Sequence, residues 1–313
     1  MAKGSGFEPQ RVTAISHRGK PYPCVYDLTT TTGNFVANGI LVHNCPWFPI
    51  DHSPIPPEVA RRFDAAHRLL LYSQDAVKQV GEYAEGRYKD KIRFIPHGIP
   101  CHALKPPEGD EKASFRKKYF PDWPEDAYIV AMVAANKGYP SRKSFPEAFE
   151  AFAIFAARHP EARLYLHSFS GSAMRGPDLQ NLIRFYGIEQ KTRIANPEML
   201  VGGEYDDEMM REIYCTMDVL LSPSMGEGCG LPILEAQCVG VPAITTAFSA
   251  MTENTGVGWT VPPLRLQPTL MMANQALADV PGIAHALEES FRRPKSPYWA
   301  QIAREFALQF DWP

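Results

Sequence analysis

The sequence predicts an α/β protein, with a doubly wound parallel sheet, part of a second such sheet before it, and a small all-β segment in front of both. Three observations carry this. From Leu69 onward, short runs of β-formers alternate with amphipathic helical stretches, the pattern of a parallel sheet covered by helices. One of these strands runs through a glycine-rich turn, Ser222 to Glu235, directly into a helix, as at the ligand end of a doubly wound sheet. Near the start, residues 33–45 read GNFVANGILVHNC, an Asn-Gly pair between two apolar runs, which is a hairpin signal.

The first segment covers residues 1–44. Phe35-Val36-Ala37 and Ile40-Leu41-Val42 flank Asn38-Gly39, and a type I′ turn needs positive φ at both central positions. A further strand is expected at Cys24–Leu28, across the TTTTG linker. The segment ends in His43-Asn44-Cys45, and PWFPIDHSPIPP after it reads as a proline-rich loop.

This stretch, VYDLTTTTGNFVANGILVHN followed by Cys, resembles the C-terminal splicing motif of inteins. The chemistry needs these residue types in this order. By that resemblance the Asn44 side-chain amide would attack its own carbonyl and cut the 44–45 bond, and His43 would polarise that carbonyl or protonate the departing amine. The Cys45 thiol would receive the upstream chain as a thioester, which rearranges to an amide. The resemblance implies that Asp27 assists the proton transfers, the more so because Gly33 stands where the family commonly has a histidine. It also implies a partner, an N-terminal intein half fused to the N-terminal part of the protein that is spliced.

On this reading the working protein would begin at Cys45. Leu69–Ser73 reads as a strand, residues 74–86 as a helix and Ile92–Ile95 as a strand, before PHGIP breaks the chain. The expected domains are 1–44, 45–105 and 106–313. Tyr128–Ala134 opens the last as a buried strand. Ser144-x-x-Glu147 with Pro146 predicts a capping box, and Phe149, Phe152 and Phe155 predict the core face of the helix behind it. Strand 163–169, helices 177–186 and 206–217, strand 218–223, helix 231–239 and strand 241–246 complete the unit.

The chemistry concentrates in SPSMGEGCGLPILE. Gly226, Gly228 and Gly230 would let a ligand approach the backbone, and the helix start offers N–H groups to phosphate. Glu227 lies in the loop and Glu235 about one turn into the helix. A dinucleotide fingerprint is the weaker reading, because GEGCGL lacks the third glycine of GxGxxG and follows a late strand.

The block EGCGLPILEAQCVGVPAITT resembles the E-x7-E motif of retaining glycosyltransferases with the GT-B fold, specifically family 4, the glycosyl transferases of group 1. IPHGIP resembles the family's interdomain segment, VAANKGYPSRKSFPEAFEAF its phosphate loop and following helix, and DEMMREIYCTMDVLLSPS the helix and strand before the motif. By that resemblance Glu227 holds the donor sugar's hydroxyls and Glu235 the ribose hydroxyls of the nucleotide. Lys143, with Arg142, neutralises the diphosphate, and Ser224 lines the same turn. Asn136 stands where the family often has an arginine. The resemblance implies a nucleotide-sugar donor, an unidentified acceptor, no cofactor and no metal. Positive side chains and the helix dipole would stabilise the departing nucleoside diphosphate, whose phosphate would help to deprotonate the acceptor. The family has a full N-terminal domain before this region and a returning helix after ALQFDWP, so the chain is expected to work once splicing supplies the rest. The alternatives are an inactive, donor-binding remnant of an intein-broken gene, or a GT-B nucleotide-sugar epimerase. A phosphorylase would need a pyridoxal-phosphate lysine site that the sequence does not offer.

Bulk properties exclude other classes. The 313 residues carry a net charge of −3, which gives no footprint for nucleic acid. No apolar run reaches the roughly 18 residues of a spanning helix, so membrane contact would be peripheral. The N-terminus has no apolar signal core, so a cytoplasmic location is expected. Six cysteines without CxxC pairs argue against zinc and against a disulfide framework. Apart from Cys45, most are expected to be small buried hydrophobes.

Overall fold

In the computed structural model, which describes residues 34–37, 40–43, 45–171, 175–294 and 296–312, the chain falls into two units, Met1–Asn44 and Cys45–Pro313. The first contains strands β1 (Asn34–Ala37) and β2 (Ile40–His43), paired antiparallel with Asn34 opposite His43 and Ala37 opposite Ile40. That register leaves two residues between the strands, as the Asn-Gly reading requires. The strand expected at Cys24–Leu28 lies outside the described residues.

The second unit opens with a three-stranded parallel sheet: β3 (Trp47–Phe48), then α1 (Pro57–Ala60), β4 (Leu69–Leu71), α2 (Gln74–Glu82) and β5 (Ile92–Phe94), ordered β3-β4-β5. The stretch after Cys45 is thus not all loop. Prolines 46 and 49 bracket two residues that pair with Leu70 and Leu71 on a single edge, where the missing proline N–H groups cost nothing. Ser73 caps α2 by accepting from Ala76 N–H at 3.1 Å.

A six-stranded parallel sheet follows. In chain order the elements are α3 (Glu111–Tyr119), β6 (Tyr128–Val133), α4 (Phe145–Ala156), β7 (Ala162–His167), α5 (Leu179–Phe185), β8 (Thr192–Ile194), α6 (Pro197–Gly202), α7 (Asp207–Thr216), β9 (Val219–Ser222), α8 (Leu231–Cys238), β10 (Ala243–Thr246), α9 (Ala250–Asn254) and β11 (Gly258–Val261). The sheet order β11-β10-β9-β6-β7-β8 reverses between β6 and β9. That reversal is the switch point beside which doubly wound folds bind ligands, at the carboxyl ends of the strands. A separate antiparallel ribbon, β12 (Arg265–Pro268) and β13 (Asn274–Leu277), precedes α10 (Val280–Arg292) and α11 (Pro297–Ala307).

Apolar layers cover both faces of the large sheet. Phe145, Phe149, Phe152 and Phe155 of α4 are fully buried with Val130, Leu164 and Leu287 on one side. Ile233 and Leu234 of α8 pack with Tyr214, Ile129 and Leu220 on the other. The aromatic stripe on α4 is therefore core. Its predicted capping box does not form: Ser144 sits in the left-handed region (φ 51°, ψ 43°), makes no side-chain cap bond, and its hydroxyl is buried without a partner. The backbone turn Ser144 N–H to Ser141 O, 2.8 Å, fixes that conformation instead.

Several contacts join the sheets of the second unit. Glu253 on α9 accepts from the backbone N–H groups of Gln74 and Asp75 at the start of α2, at 2.9–3.3 Å. Past α11 the chain returns to the first sheet, where Ile99 bridges Asp311 and the Trp312 ring stacks 6.0 Å from that of Trp47. The segment ALQFDW itself thus makes the crossing that the family resemblance reserved for a further helix. A disulfide, Cys101–Cys238 with Cα atoms 5.7 Å apart, departs from the expectation of unpaired cysteines. Cys215 and Cys229 are buried thiols as expected, and Cys45 is exposed.

Candidate active site

The loops after β6 and β9 meet at the switch point, and their side chains make the site. Glu227, from the second loop, is 6% exposed. Lys143 Nζ, from the first loop, donates to its Oε1, and Arg142 Nη1 donates to its Oε2 at 3.2 Å. The buried Ser224 hydroxyl donates to the same carboxylate. Burial pushes this carboxyl up, but Lys143 and Arg142 outweigh that and hold it below the usual range. The loop is pinned from behind, with Glu227 N–H donating to Ser249 Oγ at 2.9 Å and Asn254 Nδ2 donating to Cys229 O at 2.7 Å. The Cys229 thiol is pushed up to about 12 by burial and by the carboxylates of Glu227, Glu253 and Glu235, which makes it a packed side chain rather than a nucleophile.

Glu235 sits apart from the ion-paired group. It is half-buried on α8 and accepts from Tyr214 Oη at 2.5 Å. Burial raises its carboxyl above the ordinary value, and the Tyr214 bond and His97 temper the rise. The two glutamates therefore have opposite electrostatics, one clamped ionised by cations and one held by a phenol.

Asn136, fully buried, spends its amide N–H groups on the carbonyls of Phe169, Gly171 and Pro177, at 3.1, 3.4 and 2.7 Å. It braces the loop after β7, while its Oδ1 has no partner. Gly226 and Gly228 serve a different close approach from the one expected. A Cβ on Gly226 would lie 2.1 Å from the Asp51 carbonyl oxygen, and one on Gly228 would lie 1.9 Å from Pro49 Cβ. The backbone that nears these glycines is the chain's own segment 49–51.

That segment brings residues the sequence reading missed. His52 is 5% exposed and its Nδ1 lies 2.6 Å from Asp51 Oδ1. Its Nε2 is buried with no partner. Asp51 Oδ2 is 3.9 Å from Arg142. A lone histidine in a proline-rich stretch carries no periodicity or motif, so its only signal was spatial. Of the four residues at the seam, Asp27 and Asn44 lie outside the described residues, and only the backbone of His43, in β2, is described. Cys45 is exposed.

An open α/β sheet with two partly buried cations and a buried carboxylate converging at its switch point is that of the GT-B-like Rossmann class. Residues 129–278, just under half of the chain, match the model for glycosyl transferases group 1. D-inositol 3-phosphate glycosyltransferase of Kribbella flavida is 28% identical over 196 residues, 60% of this chain and 42% of that protein. The chain thus spans less than half the length of this curated relative. A glycosyltransferase from Rickettsia africae shares the fold with TM-score 0.62 at 17% identity, covering 83% of this chain and 65% of that one. Anabaena HepE, solved with UDP and glucose, does so with TM-score 0.59 at 18% identity, covering 81% and 62%. Among the described residues no helix is long and apolar enough to cross a membrane.

Proposed function

We propose that residues 45–313 carry the donor site of a retaining glycosyltransferase that uses a nucleotide sugar. The observation that carries the reading is Glu227, buried between Lys143 and Arg142 at the topological switch point. Without ligand, the two cations neutralise Glu227. A donor diphosphate competes for them with more charge and more acceptor oxygens, and Glu227, released from Lys143, turns to the sugar hydroxyls. Glu235, held by Tyr214, takes the ribose hydroxyls. As the glycosidic bond breaks, Lys143, Arg142 and the N-terminus of α8 stabilise the leaving diphosphate without a metal. The phosphate oxygen then accepts the acceptor's proton. Asn136 shapes this site by bracing the loop after β7, and the free Nε2 of His52 offers a hydrogen bond to a sugar hydroxyl. The curated relative named above, a glycosyltransferase, supports the reaction class; the acceptor of this chain is a separate question. Calorimetry with uridine and guanosine diphosphates tests the reading: binding by the parent and loss in Lys143→Ala is the expected pair of results.

We infer further that residues 1–44 act as the C-terminal piece of an intein, with Asn44 cleaving, His43 and Asp27 assisting and Cys45 accepting the upstream chain. The His-Asn-Cys order after the hairpin supports it, with the register that sets Asn34 opposite His43. The partner is an N-terminal intein half joined to the N-terminal part of the transferase. Mixing the chain with such a fusion should release a residue 1–44 fragment and yield one ligated product by mass spectrometry. No release from any N-terminal half tried, with the chain folded, would sink the splicing role.

A further inference from the structure

The ribbon β12–β13 ends in a tip that is unusually apolar for an exposed turn. Leu264, Leu266, Leu270, Met271 and Met272 are all exposed, with Leu270 fully so. From Leu266 to Ala278 there is no charged residue, in a chain that is 21% charged. An isolated exposed Leu would be ordinary, but five large apolar side chains within nine residues form a patch.

The backbone of the tip is prepared for a dry environment. Thr269 N–H donates to Ala273 O at 2.9 Å, and Met272 N–H donates to Thr269 O at 3.1 Å. The Thr269 hydroxyl donates to Ala273 O at 2.8 Å and accepts from Met271 N–H at 3.3 Å. Three tip N–H groups are thus satisfied within the turn, so it can leave water without orphaning them. Met272 holds φ +55° to close the turn, a conformation that costs a non-glycine residue and is kept here with its side chain outward.

The ribbon's position is tied to the site. Ser53 and Asn274 exchange two backbone bonds, at 3.1 and 2.8 Å, and Ala276 N–H donates to Met225 O at 2.8 Å. These contacts fall one residue from His52 and one from Gly226.

We propose that the tip, Leu270-Met271-Met272, inserts into the interface of a lipid bilayer and holds the mouth of the site at the membrane. An uncharged tip with three of its turn N–H groups already bonded suits the acyl boundary rather than a charged protein surface. Binding should therefore depend on apolar burial and little on anionic lipid or salt, unlike a polybasic anchor. The proposal does not rest on the donor chemistry above, and its test uses no donor.

The test is co-sedimentation of the full chain with phosphatidylcholine vesicles and with matched vesicles containing phosphatidylglycerol, at low and high salt. The parent should bind both kinds, and the triple variant Leu270→Ser/Met271→Ser/Met272→Ser should bind at least about tenfold more weakly. Its melting temperature should be unchanged, because the replaced side chains are exposed. A parent that stays in the supernatant, binding that needs phosphatidylglycerol and vanishes with salt, or a triple variant that binds like the parent would each overturn the proposal. So would tip-dependent dimerisation without vesicle binding, which would give the patch to a second copy of the chain.

Discussion

Glu227 comes from the loop after β9, yet both of its carboxylate oxygens are held by the loop after β6: Lys143 Nζ donates to Oε1, and Arg142 Nη1 lies 3.2 Å from Oε2. The sheet makes this meeting possible, because β6 and β9 are neighbours at the point where its order reverses.

On the proposed reading, the pairing makes Glu227 a competitor of the donor diphosphate for the same cations. Glu227→Gln keeps the shape and removes the charge, so nucleoside diphosphate should bind more tightly, by roughly tenfold, while sugar transfer falls. Calorimetry compared with turnover of the protein ligated as proposed above checks both halves. Equal weakening of both ligand binding and transfer would mean that Glu227 supports the fold of the loop and nothing more.

The same pair sets a pH dependence of stability. The Glu227 carboxyl is held below its ordinary value in the folded protein. Its contribution is therefore fully present above the unfolded carboxylate range and is lost as pH falls through the lower, folded value. The melting-temperature gap between parent and Glu227→Gln at neutral pH should close on acidification below about pH 4. A gap that stays constant down to pH 3 would remove the ion pair as its cause.

Gly226 and Gly228 are required by chain packing. Gly226→Ala puts a Cβ against the Asp51 carbonyl and Gly228→Ala puts one against Pro49. Neither the Asp51 main chain nor the Pro49 ring can rotate away, so each substitution should cost about 1–3 kcal/mol. Thermal unfolding of the two variants measures this, and parental melting temperatures would show that segment 49–51 is free to move off the loop.

His52 should act on the transfer step rather than on the nucleotide. His52→Ala is expected to leave nucleoside diphosphate affinity unchanged and to lower turnover, because it removes the unpartnered Nε2 proposed to meet a sugar hydroxyl. Titration and turnover assays on one preparation separate these effects. A loss of diphosphate affinity equal to that of Lys143→Ala would assign His52 to the phosphates.

Much of this was legible in the sequence because it is local. The Asn-Gly pair predicted the β1–β2 register, the alternation from Leu69 predicted the parallel strands, and the phenylalanine spacing predicted the buried face of α4. Glu227, Lys143 and Arg142 were found by motif, and the structure brings all three together. What could not be read was set by distance along the chain. The two-residue strand β3 is recognisable only through its pairing with β4. The Cys101–Cys238 pair spans 137 residues, and His52 is defined by loops far away in sequence. Ser144 offered a capping box by residue type, but the turn from Ser141 took its backbone into the left-handed region first.

The most direct measurement is a titration of the parent, Lys143→Ala and Glu235→Ala with a nucleoside and the matching nucleoside diphosphate. Lys143→Ala should weaken only the diphosphate, by about 1.5–3 kcal/mol, because it removes a charge-assisted contact to phosphate. Glu235→Ala should weaken both ligands alike, since both carry the ribose. Diphosphate binding by Lys143→Ala at parental strength, with Glu235→Ala also unaffected, would contradict the donor site at its centre.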